Sequence, residues 1–248
     1  LEKEEGDKLV DRYKNDIKIC RNNNIPMVIM HLTSKSEAPK YNEIGLKRLQ
    51  EIVDYAQKLN IKVAFENTKI KGYLDYVIDN IKNKNVGICF DSGHYHVHFN
   101  DELDFPKFKD RIFAVHLHDN DKSDDLHLIP FDGTLNWSNV VKNLKECNYS
   151  GPITLELCYR YEYLKMGINE FYKKGYEVGN KLKEMFEMDE VTLDIEEEAL
   201  DYIVAKALEY KLGARGLRSL CEAILTDAMY ELPSSDDKHL QVTKEYAE

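Results

Sequence analysis

The sequence has few features of extracellular, membrane or nucleic-acid-binding proteins. Its 248 residues include five cysteines. None of them is spaced as CxxC, which favours buried reduced thiols over a disulfide framework. No apolar stretch approaches the roughly 18–20 residues of a membrane span. Lys and Arg number 34 against 45 Asp and Glu, and the net charge of −11 disfavours a large nucleic-acid or anionic-membrane surface. We therefore expect a cytoplasmic globular protein with no membrane or nucleic-acid partner.

Five apolar runs in the first 160 residues each carry a metal-type ligand at or near their end. They are PMVIMHL with His31, IKVAFEN with Glu66, VGICFD with Asp91, IFAVHLHD with His116 and ITLELC with Glu156. Continuous apolar runs separated by helical patterns are typical of a buried parallel sheet. Because catalytic groups in α/β folds lie at the carboxyl ends of such strands, the pattern predicts one shared site at one end of a barrel.

Helical spacing of apolar residues connects these runs and predicts an α/β fold of the TIM-barrel type. The predicted helices cover residues 3–24, 43–60, 73–81, 138–147 and 162–183. Between Asp91 and His116 the pattern predicts only a short connection, DFPKFKD. Repeated βα units of this length favour parallel strands with right-handed crossovers.

The four residues Glu66, Asp91, His116 and Glu156 form the core of the predicted site. One histidine and three carboxylates suit a divalent cation such as Mn, Mg, Co or Zn. Such an ion polarises a carbonyl or hydroxyl oxygen, and two carboxylates on opposite sides can move a proton off one carbon and back. We therefore expect Glu66 and Glu156 to be catalytic as well as metal-binding.

Other histidines near these strand ends have weaker signals. His94 follows Asp91 by three residues and can face the same pocket, as a ligand or a substrate contact. His96 and His98 are interpreted as loop or surface residues. His118 alternates with His116, so it is expected to point to the opposite face in a supporting or structural role.

Residues 10–180 resemble the xylose-isomerase-like TIM barrels, which include sugar isomerases and epimerases and the endonuclease IV enzymes. The matching segments are VAFEN, GICFDSGH, VHLHDND, DLHLIPFDGTLNW and ITLEL. The resemblance implies that Glu66, Asp91, His116 and Glu156 bind one shared metal, and that His94 touches substrate or a further metal. In the endonuclease branch the cluster holds up to three metals, and the matching positions here are His31, Asp125 and His127.

The chain departs from this family in two ways. Five or six strands are recognisable where a full barrel has eight, so we expect the first two strands to be missing upstream. Epimerases of the family often place an Arg shortly after the ligand matched by His116, whereas this loop offers Lys122. Lys is a point charge and not a bidentate fork, so its role as a substrate contact is open.

From about residue 184 the sequence no longer has apolar runs that end on metal-type ligands. A short strand, EVTLDI, precedes a helix that Asp194 is expected to cap, with an apolar face of Leu200, Ile203, Val204, Ala207 and Leu208. Gly213 is expected to break this helix. A second helix, GLRSLCEAILTDAMYEL, ends at Pro233, and HLQVT is a final strand candidate.

The segments GARGLRS and DAMYELPS resemble the C-terminal small domain of the ClpX-type Clp unfoldase ATPase. The resemblance implies that Arg215 is a sensor-2 arginine that contacts nucleotide phosphates. No GxxxxGK[ST] motif occurs in the sequence, so this chain is not expected to hydrolyse ATP by itself. The predicted domains are a partial barrel at 1–183 and the small domain at 184–248.

Three hypotheses about function stay open. The first is a metal-dependent isomerase or epimerase of a small sugar or sugar phosphate, which suits the acidic net charge. The second is an endonuclease IV-like zinc phosphodiesterase, supported by His31, Asp125 and His127. The third is a non-catalytic fusion or chimera. The partners considered are the sugar, a second copy of the chain and an AAA+ protein that packs against the small domain.

Overall fold

The computed structural model describes residues 3–33, 40–187, 192–210, 214–231 and 239–248, with the backbone alone at 3, 161–162, 214–218 and 229–231. The chain divides into two compact units, Leu1–Phe186 (unit 1) and Glu187–Glu248 (unit 2). Among the described helices, none is long and apolar enough to cross a membrane.

Unit 1 alternates helices with parallel strands, as the sequence predicts. Its elements are α1 (Lys3–Asn22), β1 (Met27–His31), α2 (Glu43–Lys58), β2 (Lys62–Glu66), α3 (Tyr73–Asn80), β3 (Val86–Asp91), α4 (Ser92–His98), a 3-10 turn (Phe105–Phe108), β4 (Ile112–His116), α5 (Trp137–Glu146), a 3-10 turn (Tyr161–Lys165) and α6 (Ile168–Glu187). The strands form one sheet in the order β1-β2-β3-β4. The end of α6 lies beyond the predicted domain boundary at 183/184.

The two faces of this sheet have different surroundings. Alternate strand residues such as Val63, Phe65 and Ile88 pack in the main hydrophobic core together with α2 and α3. The residues between them point the other way, where Ala64, Cys89 and Ala114 form a separate small cluster. Because side chains alternate along a strand, the polar residues two positions further on lie above this small-residue layer.

The strand register brings the predicted ligands to one edge of the sheet. His31 is opposite Glu66 in the β1–β2 pair. Asp91 is opposite His116 in the β3–β4 pair. Glu66 is opposite Cys89 in the β2–β3 pair, so the two pairs lie at the same edge of the sheet with a stagger of two residues.

A β-bulge in β4 decides which way His116 points. Ile88 is opposite Ile112, but the next residue of β3, Cys89, is opposite Ala114, so Phe113 is the extra residue. Without it, Val115 would face Asp91 and His116 would point to the opposite face, because side-chain direction alternates. The bulge thus places His116 on the same face as Asp91.

Gly87 makes room for this bulge. A Cβ atom at Gly87 would lie 2.4 Å from the carbonyl oxygen of Arg111 and 2.6 Å from the Phe113 ring. Any larger residue at this position would push against backbone, so glycine is needed where β3 and β4 approach closely.

The fifth predicted strand, ITLELC, is reduced to a single bridge, and that prediction is corrected. Leu117 donates to the carbonyl oxygen of Thr154, and Glu156 donates to that of Leu117. This parallel bridge joins Leu117 and Leu155. Pro152 has no backbone N–H to extend the pairing towards the start of the segment. The bridge still places Glu156 beside the end of β4.

Helix α4 was not predicted, and it changes the surroundings of two histidines. The Asp91 carboxylate caps it by accepting a 2.7 Å hydrogen bond from the backbone N–H of His94. His96 is only 3 % exposed and hydrogen-bonds with Asp101 and Thr134. The expectation that His96 and His98 lie in a loop or at the surface was wrong, since both are in the helix and His98 is half-buried.

Unit 2 contains β5 (Thr192–Ile195), α7 (Glu197–Glu209), α8 (Ala214–Glu231), β6 (His239–Val242) and α9 (Lys244–Ala247). β5 and β6 are parallel neighbours. Its small core is formed by Ala199, Ile203, Val242 and Ala247, with partly buried residues of α8 around them.

Two predictions about α7 were wrong. Asp194 lies in β5 and pairs with His239. Glu196 occupies the N-cap position, but its side chain accepts from Gln241 and does not cap the helix. The helix buries Ala199, Ile203 and Ala207. It exposes the larger residues of the predicted apolar face, Leu200, Val204 and Leu208. Gly213 and Pro233 lie outside the described residues.

Candidate active site

Glu66, the last residue of β2, is the centre of a cluster of histidines. Its side chain is 1 % exposed. One carboxylate oxygen, Oε1, lies 3.2 Å from His31 Nε2 and 3.2 Å from His94 Nδ1. The other oxygen, Oε2, lies 3.0 Å from His116 Nδ1. One buried carboxylate is therefore surrounded by three imidazoles from three separate elements.

His116 lies between two carboxylates. Its Nδ1 is 3.0 Å from Glu66 Oε2 and 3.2 Å from Glu156 Oε2. Glu66 is buried and Glu156 has 45 % of its side chain exposed. The site therefore has an enclosed carboxylate and a solvent-facing one that converge on the same imidazole nitrogen.

Asp91, at the end of β3, is held by the backbone and side chains around it. Asn67 donates to the Asp91 carbonyl oxygen at 2.8 Å and accepts from its N–H at 2.7 Å. The Asp91 carboxylate lies 3.5 Å from His94 Nδ1 and 3.1 Å from His118 Nε2. Ser92 Oγ donates to the His118 carbonyl oxygen and accepts from its N–H, which fixes His118 beside Asp91.

A second group of donors adjoins the first through His94. Its Nε2 lies 3.2 Å from Asp125 Oδ2, and His127 Nε2 lies 3.4 Å from the same oxygen. The His127 ring stacks on His118 at a centroid distance of 4.0 Å. His127 Nδ1 is also 3.0 Å from the Glu156 carbonyl oxygen. The loop that carries Asp125 and His127 is thus held against the strand ends.

The donor set fits a divalent cation. Glu66 Oε2, His94 Nδ1 and His116 Nδ1 are buried atoms without a hydrogen-bond partner, although they lie 3.0–3.2 Å from oppositely charged groups. Ligand atoms around an ion with bonds of about 2.0–2.2 Å are themselves about 3–3.5 Å apart. Buried polar atoms are almost always hydrogen-bonded, so these convergent unpaired atoms fit metal ligands. Among the described residues, four groups of three donors lie mutually within 4.8 Å: Glu66, Asp91 and His94; Asp91, His116 and Glu156; Glu66, Cys89 and His116; and His118, His127 and Glu156.

The electrostatics of the cluster follow from burial and charge pairing. Burial by itself raises the pKa of Glu66, but the contacts with His116, His31 and His94 outweigh it and hold the pKa well below its usual range. Burial lowers the pKa of His94, yet Asp125 and Glu66 outweigh this effect and raise it to about 10. Glu66 is therefore ionised at neutral pH, and His94 holds a proton that a cation would replace.

The structure brings most of the predicted site residues together. The cluster contains Glu66, Asp91, His116 and Glu156, together with His31, His94, Asp125 and His127. Lys122 is not part of it, because its ammonium group lies 2.7 Å from Asp101 and 3.2 Å from the Asn100 side chain. Arg215 lies in α8 of unit 2, and its side chain is outside the part that the structure describes.

Three residues of the site were missed or misplaced in the sequence analysis. His118 does not point away from Asp91, because β4 ends at His116 and strict alternation ends with it. Cys89 lies two residues before Asp91 in β3, so strand alternation already places it on the site face. Asn67 follows the end of β2, and no sequence pattern signals its bonds to Asp91.

The family model described as xylose isomerase-like TIM barrel matches residues 1–188. The chain belongs to this family. Among related proteins, y4fM of Sinorhizobium fredii is 26 % identical over 190 residues, which cover 71 % of this barrel chain and 60 % of y4fM.

Solved structures are similar to this xylose-isomerase-like chain in fold. The structure of IOLI protein with a bound zinc atom has a TM-score of 0.62 at 19 % identity. The matched region is 76 % of this chain and 74 % of the IOLI chain. A D-tagatose 3-epimerase-like protein has a TM-score of 0.55 at 27 % identity and covers 73 % of each chain. The predicted TIM-barrel-type fold is confirmed.

The C-terminal part matches a second family. The model of the C-terminal D2-small domain of ClpB protein matches residues 178–244. The ClpX ATP-binding subunit of the Clp protease from Bacteroides fragilis is 57 % identical over 63 residues. These residues are 25 % of this chain and 15 % of that subunit. The predicted ClpX-type small domain is thus confirmed, and the chain spans only a small part of the ClpX relatives it matches.

Proposed function

We propose that this protein is a divalent-metal-dependent isomerase or epimerase of a small sugar or sugar phosphate, acting by carboxylate-mediated proton transfer. The observation that carries this proposal is the convergence of Glu66 and Glu156 on His116 Nδ1, at 3.0 and 3.2 Å. Glu66 is enclosed and Glu156 is open to solvent, so a substrate that enters from the solvent side meets Glu156 first and His116, with Glu66 behind it, next.

Glu66, Asp91, His116 and Glu156 would hold the metal. Mixed oxygen and imidazole donors suit Mn, Mg, Co or Zn. A bound ion would polarise a hydroxyl or carbonyl oxygen of the substrate and so make the adjacent carbon more acidic.

The chain's own residues supply the proton transfer. The contact with His116 lowers the pKa of Glu156 more than burial raises it, so Glu156 is ionised at neutral pH and can accept a proton. Its half-exposed position lets it exchange that proton with solvent. Glu66 is also ionised, and three histidines fix its position, so it would serve as the second carboxylate of the proton transfer.

A zinc phosphodiesterase is the second candidate. It is favoured by the contacts of Asp125 with His94 and His127, since these three donors could hold a further ion beside the first. The net charge of −11 disfavours a large polyanionic substrate.

Metal content and proton exchange test the proposal together. The full chain, purified without chelator or affinity nickel, is analysed by elemental mass spectrometry and then incubated with ketose and aldose phosphates in D₂O. We expect about one divalent ion per chain and substrate-dependent deuterium incorporation. In Glu156→Gln, incorporation should fall by about 10²–10⁴-fold, the usual contribution of a general base.

Three other results would change the conclusion. Two or three zinc ions with phosphodiester hydrolysis would support the second candidate. Unchanged metal content and unchanged exchange in Glu156→Gln would contradict both catalytic proposals. Absence of metal binding even after addition of Mn or Zn would favour a non-catalytic fusion.

For unit 2 we propose packing against an AAA+ ATPase, without ATP hydrolysis by this chain. The proposal rests on the 57 % identity to a 63-residue part of ClpX and on the lack of a GxxxxGK[ST] motif. Light scattering of the chain alone and mixed with a ClpX-type ATPase would distinguish a homo-oligomer from a mixed assembly. A monomer in both runs would contradict both partner proposals.

A further inference from the structure

The floor of the candidate site contains a thiol that the proposed reaction does not use. Cys89 lies in β3 two residues before Asp91. It is therefore about 6–7 Å further from the end of the strand than Asp91 is. It is opposite Glu66 in the β2–β3 pair and opposite Ala114 in the β3–β4 pair. Its side chain is fully buried in the cluster that it forms with Ala64 and Ala114. The sulfur therefore faces the site from below, between two small side chains.

Two sets of donors share the His116 imidazole. The first, here called the thiol set, is Glu66, Cys89 and His116, whose ligand atoms lie within 4.8 Å of one another. The second, the carboxylate set, is Asp91, His116 and Glu156. The first offers sulfur, nitrogen and oxygen, and the second offers nitrogen and oxygen only.

Glu66 points independently to a ligand in the thiol set. Its side chain is 1 % exposed. Its Oε2 atom is buried without a hydrogen-bond partner. This oxygen lies 3.0 Å from His116 Nδ1, which is also without a hydrogen-bond partner. Two unpaired donor atoms therefore meet next to the sulfur.

We propose that the cluster has two alternative positions for one divalent ion, and that thiophilic ions bind the thiol set and displace hard ions from the carboxylate set. The inference rests on the proposed metal site and adds a mode of metal selectivity and inhibition to it. Soft sulfur ligands select ions such as Zn²⁺, Co²⁺ and Cd²⁺, whereas carboxylates suit Mn²⁺ and Mg²⁺. On binding, the ion replaces the thiol proton, which leaves to solvent.

Both sets include His116, and its Nδ1 is the nitrogen that Glu66 and Glu156 approach, at 3.0 and 3.2 Å. An ion bound through this nitrogen in one set therefore excludes an ion in the other. A thiophilic ion is therefore expected to inhibit the enzyme by competing with Mn²⁺, not by blocking the entrance to the site.

A cadmium titration tests this inference. Chelator-treated full chain is loaded with Mn²⁺ and titrated with Cd²⁺, while ultraviolet absorbance follows the thiolate-to-cadmium charge-transfer band and electron paramagnetic resonance follows released Mn²⁺. We expect the band and the Mn²⁺ release to saturate together, at about one Cd²⁺ per chain.

Variants at two cysteines provide the matched comparison. Cys158, two residues after Glu156, is the control, and Cys158→Ala should keep the band and the release. Cys89→Ala should lose the band, bind Cd²⁺ about 10–100-fold more weakly and retain Mn²⁺ when Cd²⁺ is added. Cys89→Ser preserves the side-chain volume and should behave in the same way if the effect is due to sulfur ligation and not to packing.

The outcomes separate the two proposals. Cd²⁺ binding without the band in the unmodified chain, or a band that persists in Cys89→Ala, would overturn the thiol set and leave the Mn²⁺ site intact. A cadmium band without any Mn²⁺ binding would support the thiol set and count against the proposed enzyme site.

Discussion

His118 Nε2 lies 3.1 Å from both carboxylate oxygens of Asp91. A histidine centred on a carboxylate in this way fixes the carboxylate's rotation, and the Ser92 hydroxyl fixes the backbone of His118 in turn. Gly93 allows the approach, since a Cβ atom there would lie 2.0 Å from the His118 ring. Asp91 is therefore oriented before any ion binds.

Replacing His118 should weaken metal binding more than it disturbs the fold. In His118→Gln we expect the affinity for Mn²⁺ or Zn²⁺ to fall about 10–100-fold, the range seen when a group that orients a ligand is lost. Isothermal titration calorimetry measures the affinity. His96→Gln is the matched control, because His96 is also buried but bonds to Asp101 and Thr134. Equal losses of affinity in the two variants would contradict an orienting role for His118.

Gly87→Ala should destabilise unit 1. The new methyl group would meet the Arg111 carbonyl oxygen at 2.4 Å. Overpacking of this kind costs about 1–3 kcal/mol, which urea unfolding should show as a lower free energy of unfolding. Gly179→Ala in α6 is the control, because its Cβ atom would meet the Leu155 side chain at 3.5 Å, an ordinary contact. That variant should be neutral or more stable by about 0.5–1 kcal/mol.

The stability of the metal-free protein should be greatest in mildly acidic solution. The pKa of His94 is raised to about 10, because Asp125 and Glu66 outweigh the effect of burial. Because the pKa of His94 is higher in the folded state, protonated His94 stabilises the fold. This stabilisation is complete below the ordinary histidine pKa near 6.5 and is lost as pH rises towards 10. The pKa values of Glu66 and Asp125 are lowered in the folded state, so their carboxylates stabilise the fold above the ordinary carboxyl pKa near 4. This stabilisation is lost as pH falls below that range. Both contributions are present together from about pH 4.5 to 6.5.

Thermal unfolding in chelator between pH 4 and 9 checks this expectation. Added metal should raise the melting temperature more at pH 8 than at pH 6, because the ion replaces protons on the histidines. His94→Gln should flatten the alkaline side of the metal-free profile. A metal-free melting temperature that rises steadily to pH 9 would contradict the pairing.

Asn67 should act on the fold and the site together. In Asn67→Ala the backbone N–H and carbonyl oxygen of Asp91 both lose a buried partner, so we expect a loss of about 1–3 kcal/mol in unfolding free energy. Hydrogen exchange of the Asp91 amide, followed by NMR, should speed up in this variant while amides in unit 2 keep their rates. Unchanged exchange at Asp91 would mean that other groups hold the end of β3.

The strand-end rule is sufficient to predict much of the site from sequence. In a parallel sheet the carboxyl ends of neighbouring strands meet at one edge, so Glu66, Asp91 and His116 had to be close once the strands were recognised. The side on which each residue lies is harder to predict. The face on which His116 lies depends on an extra residue in β4, and nothing in the sequence marks Phe113 as a bulge.

Short or local structures explain most of the remaining differences. Helix α4 has only seven residues and three histidines, so apolar periodicity could not reveal it. In α7 the largest apolar residues suggested the buried face. The helix instead buries the side with Ala199, Ile203 and Ala207. Hydrophobicity predicts that a helix has a buried face, but the tertiary contacts of Ala199 and Ile203 with Val242 and Ala247 decide which one.

The bulge at Phe113 makes the number of residues in β4 as important to the site as their identity. Pairing the same residues without the bulge would turn every side chain after Phe113 to the other face of the sheet, and would place Val115 at the site instead of His116. Substitutions along β4 can keep this arrangement, whereas one further residue inserted between Ala114 and His116 would shift His116 out of register with Asp91. Among natural variants of this chain, insertions between Ala114 and His116 should therefore be far rarer than substitutions.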